Sequence, residues 1–175
     1  MSEKMKSEIK DWIVIILIGL VVFFIFNRFI AFNISSPTPS MENTFMVGDK
    51  VFVSRLSYLF HDPKRGDIVV FEAPDEPEKD YIKRIIGLPG ETIEGYEGVV
   101  YINGEPLKEE YLWEEMEGDF GPFVIPEDSY FMMGDNRNSS LDARFWENTY
   151  VTQDKFKGKA ILKYPDFAWL NKVKY

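Results

Sequence analysis

Hydrophobic residues run without a break from Trp12 to Phe26, and after Asn27 and Arg28 the apolar character resumes at Phe29. Crossing a bilayer takes roughly 17 to 25 mainly apolar residues, so the pattern predicts a membrane-spanning helix over 12–28 behind a tail of residues 1–11. Trp12 marks one interface and Arg28 snorkels to the other. A basic start and a short apolar core also fit a cleaved secretory leader, but no A-x-A-like site follows, which favours an uncleaved anchor. Lys4, Lys6 and Lys10 precede the span, and Arg28 is the sole basic residue near its far end, a bias that puts the N-terminus in the cytoplasm and residues 29–175 outside.

Beyond the anchor the period changes from helical to alternating. Strands are predicted near 49–56 (DKVFVSRL), 66–73 (GDIVVFEA), 81–87 (YIKRIIG), 97–102 (EGVVYI), 129–134 (SYFMMG) and 158–164 (GKAILKY), each bounded by turn residues. Asn103-Gly104 sits between apolar residues and predicts a type I′ hairpin, because both residue types tolerate positive φ. No internal repeat is visible. The expected fold is a mostly β, antiparallel domain behind one transmembrane helix.

Composition narrows the chemistry. The chain has no cysteine and one histidine, which excludes a disulfide scaffold, a thiolate zinc site, a cysteine nucleophile and a multi-histidine metal centre. The net charge is −9, and residues 1–34 contribute +1 of it, so the remainder carries −10. An acidic body with no basic stripe argues against a nucleic-acid partner. Seven acids and one lysine lie between Glu105 and Asp119, read as a solvated turn or short helix.

Ser40 lies in PTPSMENTF, a Pro-rich turn ahead of an alternating run. A serine hydroxyl needs a base to become a nucleophile. His61, in the loop YLFHDPKRGD, reads as a solvated loop residue. The other base known to pair with serine is a lysine made neutral by burial. Strand periodicity puts Tyr81, Lys83 and Ile85 on one face and Ile82, Arg84 and Ile86 on the other, so Lys83 is flanked by large hydrophobes mid-strand. A snorkelling edge-strand lysine is the plainer alternative for that position. MGDNRNSSLDAR (133–144) is a dense polar run that turn chemistry alone would explain.

In order, PTPSMENTF, KRGDIVVF, YIKRIIGLPGE and GDNRNSSLDAR, behind an N-terminal anchor, resemble the bacterial type I signal peptidases, membrane-anchored serine proteases that cut signal peptides from exported preproteins. The resemblance covers nearly the whole chain. It implies Ser40 as nucleophile, Lys83 as general base, and an oxyanion hole formed by the Ser40 amide and the Thr38 hydroxyl. Pro39 has no N–H to offer, which fits that choice of donors. The resemblance further implies that Ser140 hydrogen-bonds and orients the lysine, that Asp135, Asp142, Arg84 and Arg144 brace the site, and that residues of about 91–127 form a small inserted cap. Neither metal nor cofactor is implied. The implied partners are signal peptides, bound as extended strands with small side chains at the first and third positions before the cut, and membrane lipid around the anchor.

Four positions depart from the family pattern. Glu42-Asn43-Thr44 replaces x-Pro-Thr after Ser40-Met41, which predicts a looser turn; Pro39 stands where glycine is common; Ala143 replaces a frequent serine; and Glu147 stands where glycine often follows the aromatic residues. Two other readings stay open at this point. One is a catalytically silent anchored accessory factor, and the other an extracytoplasmic β binding module, for which Ser40 Oγ and Lys83 Nζ would lie beyond roughly 5 Å of each other.

Overall fold

The computed structural model describes residues 3–164 and 167–170. Residues 1–2 of the expected tail, and 165–166 and 171–175 of the expected outer domain, lie outside those described. Helix α1 spans Glu3–Ile25 and continues as a π-turn over Phe26–Ile30, closed by the Ala31 N–H bonding to Phe26 O. Residues 3–11 of the expected tail are therefore helical. No residue of α1 is buried, and the stretch Glu3–Ile30 contains a window of mean hydropathy 2.8, so by length and composition it is able to cross a membrane.

Twelve strands follow among the described residues: β1 (Ala31–Ser35), β2 (Lys50–Ser54), β3 (Ile68–Glu72), β4 (Asp80–Gly87), β5 (Thr92–Tyr96), β6 (Val99–Ile102), β7 (Glu105–Pro106), β8 (Phe120–Val124), β9 (Ser129–Met133), β10 (Val151–Thr152), β11 (Phe156–Tyr164) and β12 (Ala168–Trp169). A short helix α2 (Ser57–Phe60) follows β2. The larger sheet has the order β1-β2-β11-β3-β4-β9-β10, with β12 added to β11, and the smaller one the order β7-β6-β5-β8. Every pairing is antiparallel. The smaller sheet is built wholly from residues between β4 and β9.

All six predicted strands are present. β3 is an apolar run up to Glu72, and four of its five residues are buried, as a central strand covered on both faces requires. β2 alternates instead, with Val51 and Val53 buried and its other positions partly or fully exposed. Asn103 and Gly104 take φ of 52° and 82° between β6 and β7, the predicted hairpin turn. Two of the strands that periodicity missed, β5 and β8, carry breakers. β5 contains Gly95, where a Cβ would collide with the Phe120 ring, and β8 contains Pro122, which has no N–H for a ladder and sits on an outer strand.

Two apolar clusters fill the interior. One gathers Met41, Phe45, Val51, Val53, Ile68, Val70 and Ile82. The other joins Val69, Phe71, Ile85 and β9 to the smaller sheet through Ile93, Val100, Tyr111 and Met116.

Candidate active site

Ser40 occupies a single 3-10 turn, Pro39–Met41, entered from extended Thr38. Proline is favoured at the first position of such a turn, since its φ is already set and its missing N–H is not needed there. Glu42 N–H returns to Pro39 O at 2.9 Å, and Thr44 and Phe45 N–H both return to Met41 O. The Met41 side chain is fully buried in the first apolar cluster and pins the turn from below. Ser40 itself is 4% exposed.

Lys83 projects from the middle of β4, where Val69 of β3 is its register partner, and is 5% exposed. Its Nζ lies 2.6 Å from Ser40 Oγ in a hydrogen bond that joins residues 43 positions apart. Burial is the main cause that lowers the Lys83 pKa to about 8; Asp142 and Asp135 oppose the shift, and Arg144 adds to it. The separation of Oγ and Nζ discards the binding-module alternative. The buried position of Lys83 discards the snorkelling one.

Thr38 Oγ1 is 3.2 Å from Ser40 Oγ. Across the turn, Asn136 N–H donates to Ser40 O at 3.0 Å. Arg84 holds Asp135 through two hydrogen bonds, 2.8 Å from Nε and 2.6 Å from Nη2, with both side chains at most 1% exposed. Arg144 pairs in the same two-pronged way with Asp142, whose second oxygen also accepts Gly134 N–H at 3.0 Å. Thr38, Ser40, Lys83, Arg84, Asp135, Asp142 and Arg144 are thus in or directly behind one site.

Three expectations need correction. Ser140 is buried nearby, but its hydroxyl has no hydrogen-bond partner among the described residues, so the expected bond to Lys83 is not made; the amine bonds Ser40 instead. The turn after Ser40 is not loose. Asn43 takes φ of 81°, a conformation asparagine tolerates better than most residues, and its Nδ2 donates to Tyr111 O at 2.6 Å. The segment from Glu105 to Asp119 is also not uniformly solvated, because Glu109 and Arg137 form an ion pair with side chains 4% and 1% exposed. Sequence reasoning overlooked Arg137, Glu109, Tyr111 and Asn136. Their partners lie far along the chain, and local composition gives no sign of them.

An open cleft of about 600 Å³ exposes the pair, lined by Ile34, Pro37, Tyr81, Ile82 and Leu141 around Thr38, Ser40 and Lys83. His61 lines a different cavity, with Tyr58, Asp67 and Lys159. A serine hydroxyl held against a buried amine of lowered pKa, at the side of an open cleft in an antiparallel β domain, has the makings of a serine hydrolase.

Sequence comparison narrows that class. The family model described as signal peptidase, peptidase S26 matches residues 9–165. The chain is 38% identical over 169 residues to a signal peptidase I of Leptolyngbya laminosa, covering 92% of this chain and 82% of the relative. It is 40% identical over 153 residues to signal peptidase I P of Bacillus subtilis subsp. natto, with 82% of each covered. The crystal structure of a signal peptidase I from Enterococcus faecalis V583 superposes with a TM-score of 0.51 at 35% identity, covering 57% of this chain and 97% of that one. The chain belongs to the signal peptidase family, peptidase S26, serine endopeptidases that remove signal peptides.

Proposed function

We propose that this chain is a membrane-anchored signal peptidase in which Ser40 is the nucleophile and Lys83 its general base. The observation that carries the assignment is the 2.6 Å bond between Ser40 Oγ and a buried lysine whose pKa is lowered to about 8. Neutral Lys83 takes the hydroxyl proton as Oγ attacks the scissile carbonyl. The carbonyl oxygen becomes an oxyanion, for which the Ser40 amide and the Thr38 hydroxyl are the donors. Lys83 then returns the proton to the leaving amine and activates the water that hydrolyses the acyl-enzyme. Asp135 with Arg84, and Asp142 with Arg144, hold the loops on either side.

The substrate is a signal peptide lying extended along the cleft, its small side chains at the first and third positions before the cut facing the apolar lining. The smaller sheet, β5 to β8, is the inserted cap of the resemblance. The N-terminus faces the cytoplasm and the catalytic domain lies outside, with membrane lipid around α1. Tethering the protease where cleavage sites emerge raises its effective concentration there. The acidic outer domain offers no electrostatic footprint for nucleic acid.

Preprotein cleavage by the full chain tests the assignment. Ser40→Ala and Lys83→Ala are each expected to fold and to lose processing almost completely, since nucleophile and base act as a unit. Lys83→Arg fails as well, because a guanidinium stays protonated at any usable pH. Substantial turnover by Ser40→Ala would overturn the mechanism.

A further inference from the structure

Three chain segments far apart in sequence converge behind the Ser40 turn. After the turn, Asn43 Nδ2 donates to Tyr111 O at 2.6 Å. The Tyr111 ring lies 4.0 Å from the Arg84 guanidinium, and that guanidinium also donates to Thr44 Oγ1 at 3.2 Å and holds Asp135. Thr44 in turn hydrogen-bonds Asp135. The Tyr111 hydroxyl donates to Glu109; burial first and the Glu109 charge second push this phenol up, so it remains a donor. Glu109 takes Arg137 with both carboxylate oxygens, and Arg137 Nε donates to Gly134 O at 3.0 Å. Within that same turn, Asn136 N–H fixes Ser40 O.

We propose that the segment Glu109–Tyr111, inserted with the smaller sheet, is a clamp that positions the Ser40 turn, with Asn43 and Glu109 as its two positioning residues. Asn43 holds the chain leaving the turn, while Glu109, through Arg137 and the Gly134–Asn136 backbone, holds the carbonyl of Ser40. The two grips meet at Tyr111 and Arg84. Neither residue touches the reacting atoms. Both act by fixing the line between Ser40 Oγ and Lys83 Nζ, and a misplacement of about 1 Å at such a site can cost two orders of magnitude in rate. The inserted segment is therefore part of what makes the nucleophile competent. A buried ion pair at Glu109, inside a run of otherwise exposed acids, has in this arrangement a reason to be buried.

This inference rests on Ser40 and Lys83 being the reacting pair, and its test separates the two claims. Full-length wild type, Ser40→Ala, Asn43→Gly, Asn43→Asp and Glu109→Gln are compared by steady-state cleavage of a signal-peptide substrate across pH, alongside thermal melting. Glycine accepts the positive φ at position 43 and removes only the side-chain bond; aspartate keeps the shape but sets an acceptor against the Tyr111 carbonyl. The charged and titratable groups facing Lys83 are Asp135, Asp142 and Arg144 from the polar turn and Tyr81 from its own strand.

The expected result for Asn43→Gly is a fall in kcat of roughly 10-fold with KM within about twofold, a Tm within a few degrees of wild type, and an acid limb moved upward as Lys83 loses its fixed, water-excluding partner. Asn43→Asp falls further. Glu109→Gln moves the limb in the same direction, and if that variant does not fold, Asn43→Gly still decides. Wild-type kcat and an unmoved limb in Asn43→Gly, or a loss of rate that merely follows the folded fraction, would overturn the clamp while Ser40→Ala stays inactive. Activity in Ser40→Ala would instead overturn the assignment of the reacting pair, and the clamp with it.

Discussion

In the proposed mechanism Lys83 serves as the base because the protein keeps it out of water. With its pKa lowered to about 8, about half of the amine is neutral at pH 8, whereas an ordinary lysine near 10.4 would be almost wholly protonated there. The neutral form is the active one, so activity rises with pH through that value. The kcat/KM profile is expected to show an acid limb with an apparent pKa of about 8. His61 lines another cavity, so His61→Ala should leave the limb in place; a limb that vanished in that variant would contradict the Ser-Lys assignment. Thr38 makes a second residue-level test. If its hydroxyl donates to the oxyanion, Thr38→Val lowers kcat on the ~10²-fold scale of a lost oxyanion donor, and Thr38→Ser keeps most of the rate. Equal rates in all three proteins would remove Thr38 from the site. Ser40, Lys83 and Thr38 were legible in the chain because motif order marks them. Asn43 was legible only as a departure, and its bond to Tyr111 spans 68 positions.

The elements explain how two side chains 43 residues apart meet at hydrogen-bond distance. β4 is a central strand between β3 and β9; Lys83 sits opposite Val69 in the β3 ladder, one residue before the pairing with β9 begins at Arg84. The 3-10 turn of Ser40 rides on the buried Met41 and is met from the other side by the turn after β9. Gly134 begins that turn. A Cβ there would fall within contact of both the Ser140 hydroxyl and the Ser40 carbonyl, leaving no room for a side chain. Gly134→Ala is therefore expected to fold, because the strands remain intact, yet to lose on the order of 10²-fold in kcat as Ser40 is pushed aside. Circular dichroism with cleavage kinetics would check this, and wild-type turnover would show that the contact relaxes freely. Strands such as β3 and β4 were readable because hydrophobic alternation is a local signal. β5 and β8 were not, since Gly95 and Pro122 interrupt it.

One long apolar helix and two antiparallel sheets dominate the described residues, and orientation across the membrane is open to a direct test because the sequence contains no cysteine. Ser7→Cys lies on α1, and Glu105→Cys on exposed β7. In intact cells an impermeant thiol reagent should label Glu105→Cys at once and Ser7→Cys only after permeabilisation; the reverse pattern would invert the proposed topology. The amino-acid sequence alone determined the anchor, the antiparallel β class, the absence of thiol chemistry, and the ordered motifs that carry Ser40 and Lys83. Each of those is written in neighbouring residues, as an apolar run, a period of two, a composition or a short string. Tertiary structure alone decided that Lys83 is buried with a lowered pKa, that the Ser140 hydroxyl has no hydrogen-bond partner among the described residues, that the post-Ser40 turn is tied down by Asn43, and that Glu109 is drawn from an acidic surface run into a buried pair with Arg137. Those outcomes depend on desolvation and on hydrogen bonds between distant segments, which exist only once the sheets have brought the segments together.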